Sequence, residues 1–138
     1  MDMRLYEPRD RFACLAVFDS AAPDLPDFDL WLDQPEGPYF VMEHEGSIVG
    51  CGGYSLSADG AVARLQWGMV RSDAQRMGLG RFLLLYRIRE IGKVGTVGMV
   101  VARVPKASAG FFEKQGFRVN AAGDDGRVEL LKKLTVCN

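Results

Sequence analysis

The fold of this chain depends on the stretch Val70-Arg71-Ser72-Asp73-Ala74-Gln75-Arg76-Met77-Gly78-Leu79-Gly80. An apolar, strand-like run from Val62 to Val70 leads into it, and a helical run over 81–91 leaves it. Because glycine lacks a Cβ, the backbone here can adopt positive φ and approach a ligand closely. The first amides of a helix have no internal partner and carry partial positive charge. The stretch therefore predicts a pyrophosphate site at a strand–loop–helix junction, with further positive charge from Arg76 and Arg81.

Other glycine-rich phosphate motifs do not fit this stretch. The dinucleotide fingerprint has three glycines and an acidic residue about 20 positions on, and the P-loop has Gly-Lys-Ser/Thr. The segment Gln75-x-x-Gly78-x-Gly80, which follows a strand ending in Val70, resembles the acyl-CoA-binding motif of the GNAT superfamily of N-acyltransferases. A second segment, Phe111-Phe112-Glu113-Lys114-Gln115-Gly116-Phe117, resembles the late helix of that family. The resemblance covers nearly the whole chain, most specifically 63–117.

Length and composition exclude several classes of function. With 138 residues, the chain is predicted to be a single domain over 1–138, which the resemblance implies is a GNAT domain. The net charge of -1 predicts no nucleic-acid partner and no binding to anionic membranes. No apolar run approaches the roughly 20 residues of a membrane helix, and the N-terminus does not resemble a secretory signal. We therefore expect a cytoplasmic protein.

The cysteines predict neither a disulfide framework nor a metal site. Cys14, Cys51 and Cys137 are odd in number and widely spaced. We expect buried or incidental thiols in a reducing cytoplasm, and no metal.

The periodicity of the whole chain predicts an α+β fold, a mixed central β-sheet flanked by helices as in GNAT proteins. A loop over 21–38, with one helical turn near 28–32, follows the first helix. Gly50, Gly52 and Gly53 interrupt one strand, which predicts a bulge or the close approach of a ligand. The predicted elements are strands at 3–6, 39–45, 47–57, 62–70, 96–102, 117–120 and 127–136, and helices at 9–20, 81–91 and 107–115, the second ended by Gly92 and Gly95 and the third capped by Gly116.

The resemblance implies a binding mode for acetyl-CoA as acyl donor. Backbone groups of Met69 and Val70 are expected to contact pantetheine, with one amide polarising the thioester carbonyl. Phe112 and Lys114 are expected near pantetheine or the adenosine end. The residues expected around the pyrophosphate are Gln75, Arg76, Met77, Gly78, Leu79, Gly80 and Arg81.

The usual general base and general acid of the family are both missing. Arg64 stands where many relatives carry a glutamate, and Phe112 stands where many carry a tyrosine. Pro105 replaces an asparagine found in some relatives. Deprotonation of the amine through water then has only weak candidates, which are His44, Glu43, Tyr54 and Ser108. Glu43 and His44 are neighbours on one strand, so at most one of them faces the cleft.

Three residues are candidates for binding the acceptor. Trp31, with Phe28, either lines the acceptor-binding loop or caps the core. Arg64 and Gln66 share one face of a strand, and Arg64 is a hypothetical partner for an acceptor carboxylate.

These residues favour an N-acetyltransferase that moves an acetyl group from acetyl-CoA to a primary amine of a small molecule or peptide. The amine would attack directly in a ternary complex, and Cys51 as an acyl carrier is the less favoured route. The alternative from another class is a CoA-binding sensor or partner-binding module without catalysis, which the missing glutamate and tyrosine favour. Dimers are common in the family, so a homodimer is also a candidate.

Overall fold

The computed structural model describes residues 1–21 and 25–135, which group into two compact units. The first unit contains Met1–Ser55 and Gln66–Arg89, and the second contains Leu56–Leu65 and the chain from Glu90 onward. The end predicted for the last strand, at 136, lies outside the described residues, as does Cys137. The prediction of one domain over 1–138 stays a prediction.

The strands form one seven-stranded sheet in the order β1-β2-β3-β4-β5-β7-β6. β5 pairs in parallel with β4 and antiparallel with β7, so the sheet is mixed, and the predicted α+β class is confirmed. The elements are β1 (Asp2–Leu5), a 3₁₀ turn (Pro8–Asp10), α1 (Arg11–Ala21), α2 (Phe28–Asp33), β2 (Tyr39–His44), β3 (Ser47–Leu56), β4 (Val62–Val70), a 3₁₀ turn (Ser72–Ala74), α3 (Leu79–Val94), β5 (Met99–Pro105), a 3₁₀ turn (Lys106–Ser108), α4 (Ala109–Lys114), β6 (Arg118–Ala122) and β7 (Arg127–Lys133).

The largest errors of the sequence-based boundaries lie at the end of α3 and at both ends of β5, each three residues from the prediction. The helix runs through Gly92 and ends before Gly95, which has the left-handed φ of 84° that favours glycine after a helix. The next strand begins three residues later than predicted. The amides of Gly98 and Met99 both donate to the carbonyl of Ala61, at 2.9 and 3.3 Å, so this segment is held by the residue that precedes β4 before the ladder begins.

The core of the first unit forms on both faces of its strands, because successive side chains of a strand alternate between faces. One buried cluster joins α1 and α2 to the sheet through Cys14, Val17, Phe28, Leu32, Tyr39, Val41, Cys51 and Met69. The other joins the start of α3 to the sheet through Met42, Val49, Ala74, Leu79 and Leu83.

The glycines of β3 make room for other parts of the protein. A Cβ on Gly53 would lie 2.2 Å from the carbonyl oxygen of Pro38, and one on Gly52 would lie 3.2 Å from Cζ of Arg87. The close approach predicted from these glycines is therefore made by protein groups. The register of this hairpin also shifts between Met42 and Glu43, whose partners are Gly50 and Ile48. The extra residue, Val49, therefore lies on β3 beside Gly50, and a bulge in the glycine-rich strand is confirmed.

In the second unit, β5 pairs with β7 along its whole length, from Met99–Lys133 to Pro105–Arg127. α4 contacts β6 and β7. Gly116 follows α4 with a φ of 91°, and its amide donates to the carbonyl of Glu113 at 3.1 Å, so the predicted cap is confirmed. Among the described residues, no helix is long and apolar enough to cross a membrane.

Candidate functional site

A kink in β4 lies at Trp67, whose φ is 45°. Positive φ is uncommon for a bulky residue and persists only where the surroundings hold it. The Tyr39 hydroxyl donates a hydrogen bond of 2.8 Å to the Trp67 carbonyl oxygen. The Trp67 ring packs against Phe28, with ring centroids 5.1 Å apart, and against Phe18 at 6.0 Å. A partly buried hydrogen bond and an aromatic cluster thus fix the backbone direction at this point.

Beyond its first residues, one edge of β4 has no strand partner within the described part of the chain. The ladder with β5 there joins Val62–Arg64 to Met99–Val101. Gly68, the residue after the kink, is exposed, whereas Met69 is buried. Unpaired backbone groups at a strand edge form hydrogen bonds with an extended ligand that contains amides.

The loop after β4 is closed by its own hydrogen bonds. The Gln75 side-chain amide donates to the Val70 carbonyl at 3.0 Å, and the Arg71 amide donates to the Val49 carbonyl at 2.7 Å. The Arg71 guanidinium pairs with Asp73 at 2.6 Å. The Gln75 side chain is therefore used to fold the loop, and the Val70 carbonyl is already occupied.

The loop ends in a backbone cradle at the start of α3. Arg76 and Gly78 have φ values of 67° and 78°, and a Cβ on Gly78 would meet nothing within 4 Å. The Phe82 amide donates to the Gly78 carbonyl at 3.1 Å, which leaves the amides of Leu79 and Gly80 ahead of the helical ladder. Open space in front of such amides is the geometry of an anion site.

The exposure of the cradle residues differs along the loop. Arg76, Met77, Gly78 and Arg81 are exposed, whereas the Leu79 side chain is buried in the core and anchors the cradle. The sequence-predicted pyrophosphate residues therefore lie together, next to Met69 and Val70 at the end of β4. Their contact with a ligand stays a prediction.

Trp31 belongs to an aromatic cluster with Phe18, Phe28, Tyr39 and Trp67. Its ring centroid lies 5.1 Å from that of Tyr39 and 6.4 Å from that of Trp67. The Trp31 Nε1 atom is buried and has no hydrogen-bond partner among the described residues. Phe28 is 1% exposed and belongs to the core, whereas Trp31 is only partly buried.

The other two acceptor candidates lie on β4, ahead of the kink. Arg64 is exposed. Gln66 is half-buried, and its side-chain amide donates to the Ser55 hydroxyl at 3.0 Å. Their roles, like that of Trp31, stay predictions.

The candidate bases are engaged or peripheral. Glu43 accepts a hydrogen bond of 2.6 Å from Nε of Arg4. His44 lies at the end of the hairpin with its side chain 40% exposed, and its Nε2 is 3.7 Å from a carboxylate oxygen of Glu45. Tyr54 is 6% exposed and stacks on Phe40. None of these positions identifies a base.

Phe112 and Lys114 lie on α4, in the second unit. The Phe112 ring packs edge-on against Phe111 and Phe117, with centroids 5.2 and 5.4 Å away. Lys114 is the exposed last residue of the helix. Their contact with the donor stays a prediction.

Sequence reasoning missed Arg87, a buried arginine on α3. Burial lowers the pKa of its guanidinium to about 10, and the group remains charged at neutral pH. Burial also raises the pKa of the Tyr39 phenol well above its ordinary value. A signal for Arg87 was present in the sequence, because it shares the i, i+4, i+8 stripe of the buried residues Leu83 and Ile91.

The chain matches a protein-family model described as "Acetyltransferase (GNAT) domain" over residues 35–119. Comparison with curated proteins found no match. Among the described residues, no group of three or more histidine, cysteine or acidic side chains could hold a metal ion.

Solved structures with the same fold are distant in sequence. The ribosomal-protein-S18-alanine N-acetyltransferase from Escherichia coli superposes with a TM-score of 0.83 at 20% identity, covering 99% of this chain and 96% of that protein. N-acetylglutamate synthase from Neisseria gonorrhoeae, complexed with coenzyme A and L-arginine, gives 0.79 at 17% identity, covering 96% of this chain and 33% of that one. An aminoglycoside 6'-N-acetyltransferase complexed with coenzyme A gives 0.80 at 12% identity, covering 96% and 97%.

Proposed function

Because this chain belongs to the GNAT acetyltransferase family, we propose that it transfers an acetyl group from acetyl-CoA to a primary amine of a small molecule or peptide. The family and the fold predicted from the two sequence motifs are confirmed. The donor, the acceptor class and the site residues are our proposal.

One observation carries the proposal: the kinked, open-edged end of β4 runs directly into the glycine cradle. Coenzyme A combines an extended pantetheine arm, which contains amides, with a pyrophosphate. The open edge at the end of β4 suits the arm through backbone groups other than the Val70 carbonyl, which already accepts from Gln75, and the amides of Leu79 and Gly80 suit the pyrophosphate. A ligand with only one of these parts would contact either the edge of β4 or the glycine cradle, but not both.

Acetyl transfer from a thioester to an amine can proceed without a general base or a general acid from the protein. The amine nitrogen attacks the thioester carbonyl carbon, the C–N bond forms, and the C–S bond breaks with its electron pair leaving on sulfur. The amine proton passes to water. A thiol with a pKa near that of cysteine, about 8.5, leaves as an anion without a general acid. Holding both reactants in contact supplies much of the rate enhancement, so the phenylalanine at 112 and the arginine at 64 do not exclude catalysis.

The acceptor differs among the structural neighbours. Their names specify an alanine of a ribosomal protein in one and an aminoglycoside in another. For this chain, the partly buried Trp31 and the polar Arg64 and Gln66 support an amine that carries both an apolar and a polar group. We further expect the reaction to occur in the cytoplasm, where acetyl-CoA is available and the free thiols of Cys14 and Cys51 stay reduced.

Calorimetric titration with acetyl-CoA and with free CoA tests the cradle. Gly78→Glu places a carboxylate where the pyrophosphate would bind and is expected to weaken binding by about 100-fold. Gly126→Glu is the matched control, because Gly126 has the same φ of 78° and also has nothing within 4 Å of a Cβ. Equal loss of affinity in both variants would contradict a specific cradle.

A screen of amines with the wild-type protein tests the transfer. Formation of free CoA together with an acetylated amine supports the proposal. Tight binding of acetyl-CoA without turnover of any amine would instead support the non-catalytic CoA-binding module. No binding of CoA by the folded protein would refute both readings.

A further inference from the structure

Arg87 is a buried cation without a counter-ion among the described residues. Arg87 is 5% exposed to solvent. Its only hydrogen bond to a described residue is donated by Nη1 to the Gly53 carbonyl, at 3.3 Å. Its Nε atom is buried and unpartnered in the same part of the chain. Burying a charge without a partner is unfavourable, so an arginine at such a position calls for an explanation.

The guanidinium lies directly against the kinked strand. A Cβ on Gly68 would be 2.5 Å from Nη2 of Arg87, and one on Gly52 would be 3.2 Å from Cζ. Gly68 follows Trp67, so the charge sits behind the backbone at the kink. Any larger residue at position 68 would displace it.

The titratable groups that surround Arg87 are weakly acidic. Tyr39 and Cys51 are the groups whose charges influence its pKa, and both are buried. The Cys51 thiol interacts in turn with Cys14 and Tyr39. No carboxylate of the described residues pairs with Arg87, so its positive charge is not neutralised locally.

We propose that Arg87 is a positioning residue for acetyl transfer: its charge, placed behind Gly68, stabilises the negative charge that develops on the thioester oxygen and sulfur at the open edge of β4. The inference rests on the proposed function. The charge of Arg87 would also stabilise the leaving thiolate, for which the phenylalanine at 112 has no proton to donate. A permanent positive potential stabilises a departing thiolate without proton transfer. A charge in a medium of low dielectric acts through the intervening backbone.

A purely structural role for Arg87 makes the opposite prediction. If the side chain only filled the space that Gly52 and Gly68 leave, an apolar residue of similar length would serve as well. Because burying an unpaired charge is unfavourable, its replacement by a well-packed apolar group is expected to be neutral or stabilising. Arg87→Met therefore separates packing from charge.

The experiment compares wild type, Arg87→Met and Arg87→Lys by urea unfolding, by CoA affinity and by steady-state kinetics with an amine found in the screen. We expect Arg87→Met to fold with at least wild-type stability, to keep its CoA affinity and acceptor KM, and to lose about 10- to 100-fold in kcat. Arg87→Lys, which retains the charge, is expected to recover part of that loss. A folded Arg87→Met with the wild-type kcat would overturn the proposal, as would an Arg87→Lys no faster than Arg87→Met. Should Arg87→Met fail to fold, Arg87→Gln replaces it, because it removes the charge and keeps a donor for the Gly53 carbonyl.

A second readout does not need turnover. The thiol of bound CoA is titrated by its ultraviolet thiolate absorbance, with desulfo-CoA as the blank that removes the signals of Cys14 and Cys51. We expect the apparent pKa of the bound thiol to be about one unit higher in Arg87→Met than in wild type, a tenfold change in the ionisation constant. If wild type binds CoA but acetylates no amine, the proposed function fails and this shift alone decides the role of Arg87. An unchanged pKa overturns that role, and a folded wild type that does not bind CoA overturns both.

Discussion

Tyr39→Phe tests whether the hydroxyl of Tyr39 holds the kink in β4. Tyr39 is 3% exposed, and its hydroxyl donates to the carbonyl of Trp67 at 2.8 Å. The substitution removes one oxygen and leaves the ring in place, so the packing against Phe28 and Trp31 is kept. What changes is the partner of a carbonyl group at a residue with a φ of 45°, together with the contact between the hydroxyl and the Cys51 thiol.

The expected loss of stability follows from two contributions. A neutral hydrogen bond contributes about 1 kcal/mol, and a buried carbonyl left without a partner costs about 1–3 kcal/mol. We expect the free energy of unfolding to fall by about 2 kcal/mol. With an unfolding entropy of about 2.1 cal/mol/K per residue, this corresponds to a decrease in Tm of about 7 °C for a chain of 138 residues.

Urea unfolding followed by circular dichroism measures the change, and Tyr6→Phe is the matched control. Tyr6 lies edge-on to Tyr39, with ring centroids 6.0 Å apart, and its hydroxyl makes no hydrogen bond to a described residue. Its removal is expected to change stability by less than about 0.5 kcal/mol. If Tyr39→Phe is as stable as Tyr6→Phe, the hydrogen bond does not hold the kink, and the reasoning is wrong.

Two further predictions concern the sheet and its first turn. Arg4 hydrogen-bonds to the buried Asp10 carboxylate and lowers its pKa below 3.8, so this pair stabilises the fold above that value and loses its effect as the pH falls through the lowered pKa. Asp10→Asn is therefore expected to lower the free energy of unfolding by about 2 kcal/mol at neutral pH. In urea unfolding at a series of pH values, the difference in this free energy from wild type should become smaller below about pH 4. A difference that does not change with pH would contradict the role of the charge. Gly53→Ala places a Cβ 2.2 Å from the Pro38 carbonyl and is expected to destabilise by about 3 kcal/mol. The control Gly92→Ala, inside α3 with nothing within 4 Å, is expected to stabilise by about 0.5–1 kcal/mol, and the same sign for both alanine variants would refute the packing argument.

The elements near the cradle could be predicted because their signals are local. β4 begins and ends as predicted, at Val62 and Val70. The turn at Glu45–Gly46 has φ values of 51° and 80°, as expected of a hairpin turn with glycine second. The two glycines Gly78 and Gly80 predicted, by residue type alone, an open backbone at the start of a helix.

Element ends that depend on distant contacts were predicted less well. Gly92 was expected to end α3, but helical hydrogen bonds outlast a single glycine, whose penalty is only about 1 kcal/mol. The next strand begins at Met99 because Gly98 is first held by the carbonyl of Ala61. Such contacts join residues far apart in sequence, and periodicity within a window does not contain them.

By itself the sequence determined the family and the order of elements, and it predicted where the anion cradle that we propose lies, because residue type and spacing within short segments encode these features. Only the tertiary structure decided where β4 kinks, that Tyr39 holds the kink, and that Arg87 lies buried behind Gly68. These features depend on contacts that side chains of β2 and α3 make with β4. The physical reason is that strain and buried charge persist only where packing from several directions balances them.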